Sequence, residues 1–247
     1  MAIAFQGAAD LGNNAGGAPL NSSYTVNALS NLLVAIIVGS SSEQNITSIT
    51  YNGVAMTLGV VLAGANPGPA RYGTGWYLFN PTTGNNTVVV TNTSDYIILG
   101  MADYSGAGAF ESSNSVNGAS PDTGITDPIS TVAPGAWIIA GTSNDTGGGP
   151  PTAGAGLTRR AFDGAFSVWS LFDSGGPVTP GSNNVTVNFP SSISNSGMWA
   201  MAFSPAAPVA NCSKLTLLGV GCSLAAAKLV ENPIGTRRRL IMPKLKW

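Results

Sequence analysis

The chain has 247 residues, a formal net charge of −1 and only 9% charged side chains. Its hydrophobic share of 44% excludes a disordered chain, which lacks the apolar surface to offset ordering entropy. With 32 Gly and abundant Ser, Thr and Asn it is ill suited to a helical bundle, and with no His it excludes the usual Ser-His-Asp and Cys-His nucleophile systems.

From the N-terminus, MAIAFQG at 1–7 has neither the basic segment nor the apolar core of a secretory signal. The longest apolar run, LLVAIIV at 32–38, falls far short of the ~20 residues of a membrane helix. It reads as a central strand covered on both faces. The pattern predicts strands at 32–38, 46–51, 54–61, 74–80, 86–92 and 96–104, then at 129–132, 136–142, 165–172, 184–189 and 197–204. Asn52-Gly53 suits a two-residue hairpin turn, because both residues tolerate positive φ. Alternation is clearest in VTVNF, where Val185, Val187 and Phe189 share one face.

Trp-x-Leu-Phe occurs twice, at 76–79 and 169–172. Around it, ALSNLLVA (28–35) matches APGAWIIA (133–140), NNTVV (85–89) matches NNVTV (183–187), and YSGA (104–107) matches FSPA (203–206). In chain order the four spacings are 105, 93, 98 and 99 residues, differing as loop insertions make them differ. The expectation is an internal duplication, with halves at about 24–107 and 129–207. Both halves would share one core in an all-β, antiparallel, jelly-roll-like sandwich over 1–207. Trp76 and Trp169 then read as core side chains.

After residue 208 the composition changes. Residues 1–208 hold three basic and ten acidic side chains, net −7, whereas 209–247 hold seven basic and one acidic, net +6. Such asymmetry points to an interaction arm, here 208–247. Leu217 and Leu218 lie in its apolar stretch, Arg237, Arg238, Arg239, Lys244 and Lys246 carry its charge, and Trp247 is a candidate anchor. Composition leaves open whether the arm lies on its own acidic body, docks on a neighbouring copy or another protein, or meets nucleic acid or an anionic membrane. A basic run is not specific to phosphate. Spacing does not decide whether Cys212 and Cys222 are paired.

TGGGPPT at 146–152 lacks the Lys-Ser/Thr ending of a phosphate loop. The pairs Asp122/Asp127 and Asp163/Asp173 read as solvated loop carboxylates rather than as a glycosidase pair. No catalytic residue, metal site or cofactor is expected. A binding module for host-surface carbohydrate is the alternative to a structural role, with Tyr72, Trp76 and Trp169 as stacking platforms.

TSITYNGVAMT (47–57), WYLFNP (76–81), TVVVT (87–91) and MWAMAF (198–203) resemble a family of β-sandwich proteins. Tailed bacteriophages encode most of them, as tail-fibre and virion-associated proteins. The resemblance covers roughly 20–207, and the C-terminal arm has no counterpart in it. It implies a non-enzymatic virion protein, a capsid decoration, fibre or tail component, assembled in the host cytoplasm. Its partners would be copies of itself, as a trimer or other symmetric oligomer, and other virion proteins.

Overall fold

Short runs of Val, Ile, Thr and aromatic residues, punctuated by Gly, Asn and Pro, favour strands and tight turns over helices. The computed structural model describes residues 1–14, 18–39, 46–62, 72–92, 96–118, 121–144, 149–163, 169–193 and 196–208. Among them it has seventeen strands and no helix.

The first half contains β1 (Ala4–Asn14), β2 (Leu20–Val26), β3 (Leu32–Gly39), β4 (Ile46–Tyr51), β5 (Val54–Ala55), β6 (Thr57–Leu62), β7 (Tyr72–Phe79), β8 (Gly84–Asn92) and β9 (Ile97–Ser105). First pairs with last: β1 with β9, β2 with β8, β3 with β7 and β4 with β5, all antiparallel. Nested pairing of this kind is a long hairpin rolled into two facing sheets, a jelly roll. The sheets run β1-β9-β3-β7-β6 and β2-β8-β4-β5.

The second half contains β10 (Ala107–Asn117), β11 (Asp122–Thr131), β12 (Trp137–Asn144), β13 (Thr152–Ala153), β14 (Thr158–Phe162), β15 (Trp169–Asp173), β16 (Gly181–Ile193) and β17 (Ser196–Pro205). Its sheets run β10-β17-β12-β15-β14 and β11-β16-β13, the same order with one strand fewer. A bulge recurs at the same place, with shifts at Phe5/Gly7 in β1 and at Phe110/Ser112 in β10, whereas those at Asp10/Asn13 and Ala107/Ala109 are each found in one half alone.

The two five-stranded sheets face each other, and each carries its own smaller sheet on the other side. The layers enclose three apolar cores. Within β3, Leu32, Val34, Ile36 and Val38 enter the central core while Leu33, Ala35 and Ile37 enter the outer core of the first half. Double-sided burial of LLVAIIV follows the sequence expectation. The expectation of one shared core needs correction: each half has its own core, and a third joins them.

The register also corrects the repeat. Ala35 stands opposite Trp76, and its counterpart Ala140 stands opposite Phe172, not Trp169. Trp76 and Phe172 occupy the two outer cores, whereas Trp169 points into the central one. The similar strings are therefore out of register by three residues, an odd shift that turns a strand over. Likewise Asn86, not Asn85, matches Asn183. Each donates its side-chain amide to a carbonyl four residues back, Thr82 or Thr179, closing equivalent turns.

The two strand sets that share this order begin at Ala4 and at Ala107. β1 and β10 escaped the sequence because both are half-exposed edge strands with little alternation. The predicted strand 54–61 is interrupted at Met56, and the strand predicted at 129–132 begins earlier, at Asp122.

Candidate interaction surfaces

Chain connectivity gathers the ends of both halves at one end of the body. The Met1 ammonium donates to the Ala206 carbonyl at 2.9 Å, and Ala206 N–H donates to Gly106 O at 2.7 Å. Asn31 imitates a strand neighbour, donating from Nδ2 to Ala107 O at 2.6 Å and accepting from Ala107 N–H at 3.0 Å. Glu111 caps the following loop by accepting from the backbone N–H groups of Val132 and Ala133. Start, crossover and exit thus share one pole. Three of the body's exposed large apolar side chains are there: Met1 (69% exposed), Leu29 (73%) and Val132 (77%).

Two shallow grooves mark gaps between strand edges. One, about 480 Å³, is lined by Gly7, Ala8, Leu11, Ser23, Tyr24 and Asn85, between β1 and β2. Its counterpart in the second half is bridged: Asn114 Nδ2 donates to Asp127 Oδ1 at 2.7 Å and to Pro128 O at 2.9 Å, and Ser112 Oγ donates to Ser130 O. The other groove, about 390 Å³, lies between β6 and β10.

The carboxylates depart from expectation. Asp127, Asp163 and Asp173 are buried, not solvated. Asp173 accepts from Arg160 Nε at 2.7 Å, and the Arg160 guanidinium lies 4.3 Å from the centre of the Phe5 ring, tying β14 to β1 across the two halves. Asp103 accepts from Tyr24 Oη at 2.7 Å, Ser30 Oγ at 2.5 Å and Asn27 N–H at 2.9 Å. Burial first, and Asp103 second, hold the Tyr24 phenol protonated far above its ordinary range. Burial pushes Asp127 up to about 6, opposed by the Asn114 amide. The sequence carried a signal for Asp127 that loop-like Gly and Pro context obscured: Ile125, Asp127, Ile129 and Thr131 alternate inward.

The proposed sugar platforms are corrected by burial. Tyr72 and Trp169 are fully covered, and Trp76 sits in the first outer core with its indole N–H donating to Thr74 Oγ1 at 3.0 Å. Side chains that fill cores cannot stack on a sugar. Leu217, Leu218, Arg237, Arg238, Arg239, Lys244, Lys246 and Trp247 lie outside the described residues, as do Cys212 and Cys222. Among the described residues no cluster of three metal-ligating side chains occurs, and no helix is long and apolar enough to cross a membrane.

No family model and no curated protein matches this sequence. Among solved structures, the chain is similar to the major capsid protein P2 from Bacteriophage PM2. That match has 6% identity and a TM-score of 0.25, and covers 81% of this chain and 98% of that one. It is also similar to PBCV-1 VP54, fitted into a cryo-EM reconstruction of the virophage Sputnik. Here identity is 8% and the TM-score 0.23, with 83% of this chain and 86% of that one covered. The jelly-roll assignment stands on the strand order alone.

Proposed function

We propose that this chain is a structural protein of a bacteriophage particle, a capsid decoration, fibre or tail component. Its jelly-roll body would be displayed, and residues 209–247 would hold it to the particle. The observation that carries this reading is the separation of charge along the chain. An acidic body of net −7 precedes an apolar and basic segment of net +6, and within the body Ala206 lies at the pole where Met1, Leu29 and Val132 are exposed. A segment that combines apolar anchors with charge opposite to its own body suits a contact to neighbouring acidic copies or to a second particle protein. The motifs at 47–57, 76–81 and 87–91 support the same assignment by resemblance, and the matched strand orders support an origin by internal duplication. The carbohydrate reading loses its three named platforms to burial.

The test is a chain ending at Pro208, with particles assembled beside the full-length chain. The truncated protein is expected to melt like the intact body and to be absent from purified particles. Incorporation at normal copy number would remove the anchoring role of 209–247.

A further inference from the structure

The register pairs positions on the central face of the first half with positions in the second. Leu32 and Val34 match the similarly large Trp137 and Ile139, but around Ile36 and Val38 the sizes are inverted. Ile36 stands between Gly75 and Gly100, whereas its counterpart Gly141 stands between Leu171 and Trp199. Val38 stands between Gly73 and Ile98, whereas Ser143 stands between Trp169 and Gly197. In six consecutive comparisons, a large side chain in one half faces glycine or serine at the same place in the other.

The inversion is used in contact. A Cβ at Gly100 would lie 2.2 Å from the Trp169 indole, and one at Gly73 would lie 2.3 Å from the Trp199 indole. A Cβ at Gly59 would lie 2.5 Å from Met201 Sδ, and one at Gly197 would lie 2.0 Å from Leu62 Cδ2. These are all contacts between halves, so each knob of one half enters a hole of the other. The flanks are also unlike. Phe5 lies under Arg160, whereas its counterpart Phe110 stacks on Tyr77 at 5.1 Å.

We infer that the two central faces form a mutually exclusive pair, each accepting the opposite half and rejecting a copy of itself. Trp169 covers Gly100, and the counterpart of Gly100 is Trp199. Two second halves pressed together would therefore drive indole into indole. Two first halves would leave voids where both indoles belong, and a dry void costs its lining the contacts on one side. Rejection of the wrong partner by overlap and void is a recognised route to specificity. A second copy of this chain can then meet either central face only by exchanging halves, first with second. Any other self-association must use the outer sheets, the strand edges or the pole. This holds whether or not the chain is part of a particle.

The test uses the full chain. Gly100→Ala and Gly73→Ala are each expected to lower the melting temperature by several degrees. Trp169→Leu should abolish the loss from Gly100→Ala and leave that from Gly73→Ala unchanged, and Trp199→Leu should do the reverse. The double variant Gly73→Trp/Gly100→Trp gives the first half the second half's indoles. It is expected to melt in two steps, with the central core opening first and each half keeping its own core. Tolerance of both alanines, rescue by either Trp variant without regard to the pairing, or a single wild-type transition in the double variant would overturn the inference.

Discussion

Asp127 projects from β11 into the core of the second half, where its Oδ1 accepts from Asn114 and its Oδ2 has no partner among the described residues. An acid held at about 6 in the folded state, against an ordinary ~3.9, binds its proton more tightly folded than unfolded. The sign follows from that difference. Its penalty is absent at about pH 4 and below, grows as pH rises toward 6, and is complete above it. Asp127→Asn is therefore expected to raise stability at pH 7 and to flatten the pH 4–6 window, by no more than about 3 kcal/mol. Part of that gain is lost because the new amide needs an acceptor. Urea unfolding at pH 4 and pH 7 reads both effects, and an unchanged pH dependence would contradict the assignment.

Asp103 is the opposite case, a buried carboxylate with three donors. Asp103→Ala leaves the Tyr24 and Ser30 hydroxyls and the Asn27 N–H without their acceptor, an expected loss of about 3 kcal/mol or more in the same assay. The role of Asp103 was not legible in the sequence, because acceptance from Tyr24 and Ser30 depends on long-range register. The inward alternation around Asp127 was readable, yet Gly124 and Pro128 lent the stretch a loop-like look.

At the scale of elements, two glycines separate backbone strain from steric overlap. Gly53, in the Asn-Gly turn between β4 and β5, has φ of 75° and open space around a Cβ. Gly53→Ala should cost about 1 kcal/mol, the left-handed penalty alone. Gly106 links the halves with φ of 74°, and a Cβ there would lie 2.1 Å from the Ala2 carbonyl oxygen. Gly106→Val adds overlap to strain and is expected to cost about 3 kcal/mol or more. It should also displace the N-terminal segment and yield half-exchanged dimers at high concentration, since a strained hinge favours exchange. Size-exclusion chromatography with light scattering checks this, and a monomer at wild-type stability would contradict it.

The Asn-Gly turn was legible because its chemistry is local, and Asn52 at φ of 49° with Gly53 bears it out. LLVAIIV was legible because a strand apolar on both sides has few other uses. The edge strands β1 and β10 were not, since one side of each lacks a neighbouring strand and their residues need not alternate. The two Trp-x-Leu-Phe strings misled for a related reason. String similarity ignores which side of a strand a residue faces, and an odd shift of register reverses it.

For the whole molecule, strand spacing and turn residues were enough to read an antiparallel sandwich. Layering was not readable, because alternation says that a face is buried but not what buries it. The inverted sizes at Gly73/Trp169 and Gly100/Trp199 become visible only when the register supplies the counterpart of each residue. The division of charge, by contrast, is a sequence property. The proposed function rests on it: an acidic body followed along the chain by an apolar and basic segment, proposed to hold that body to a particle.

A cryo-electron microscopy map of phage particles that contain this chain tests that claim most directly. The account predicts paired jelly-roll density on the particle surface, repeated with the particle's symmetry, with the Met1 and Ala206 end toward the particle and the strand of density beyond Pro208 entering its neighbours. A chain that is missing from the particles and purifies as a free monomer, with 209–247 making no contact to any other molecule, would contradict it.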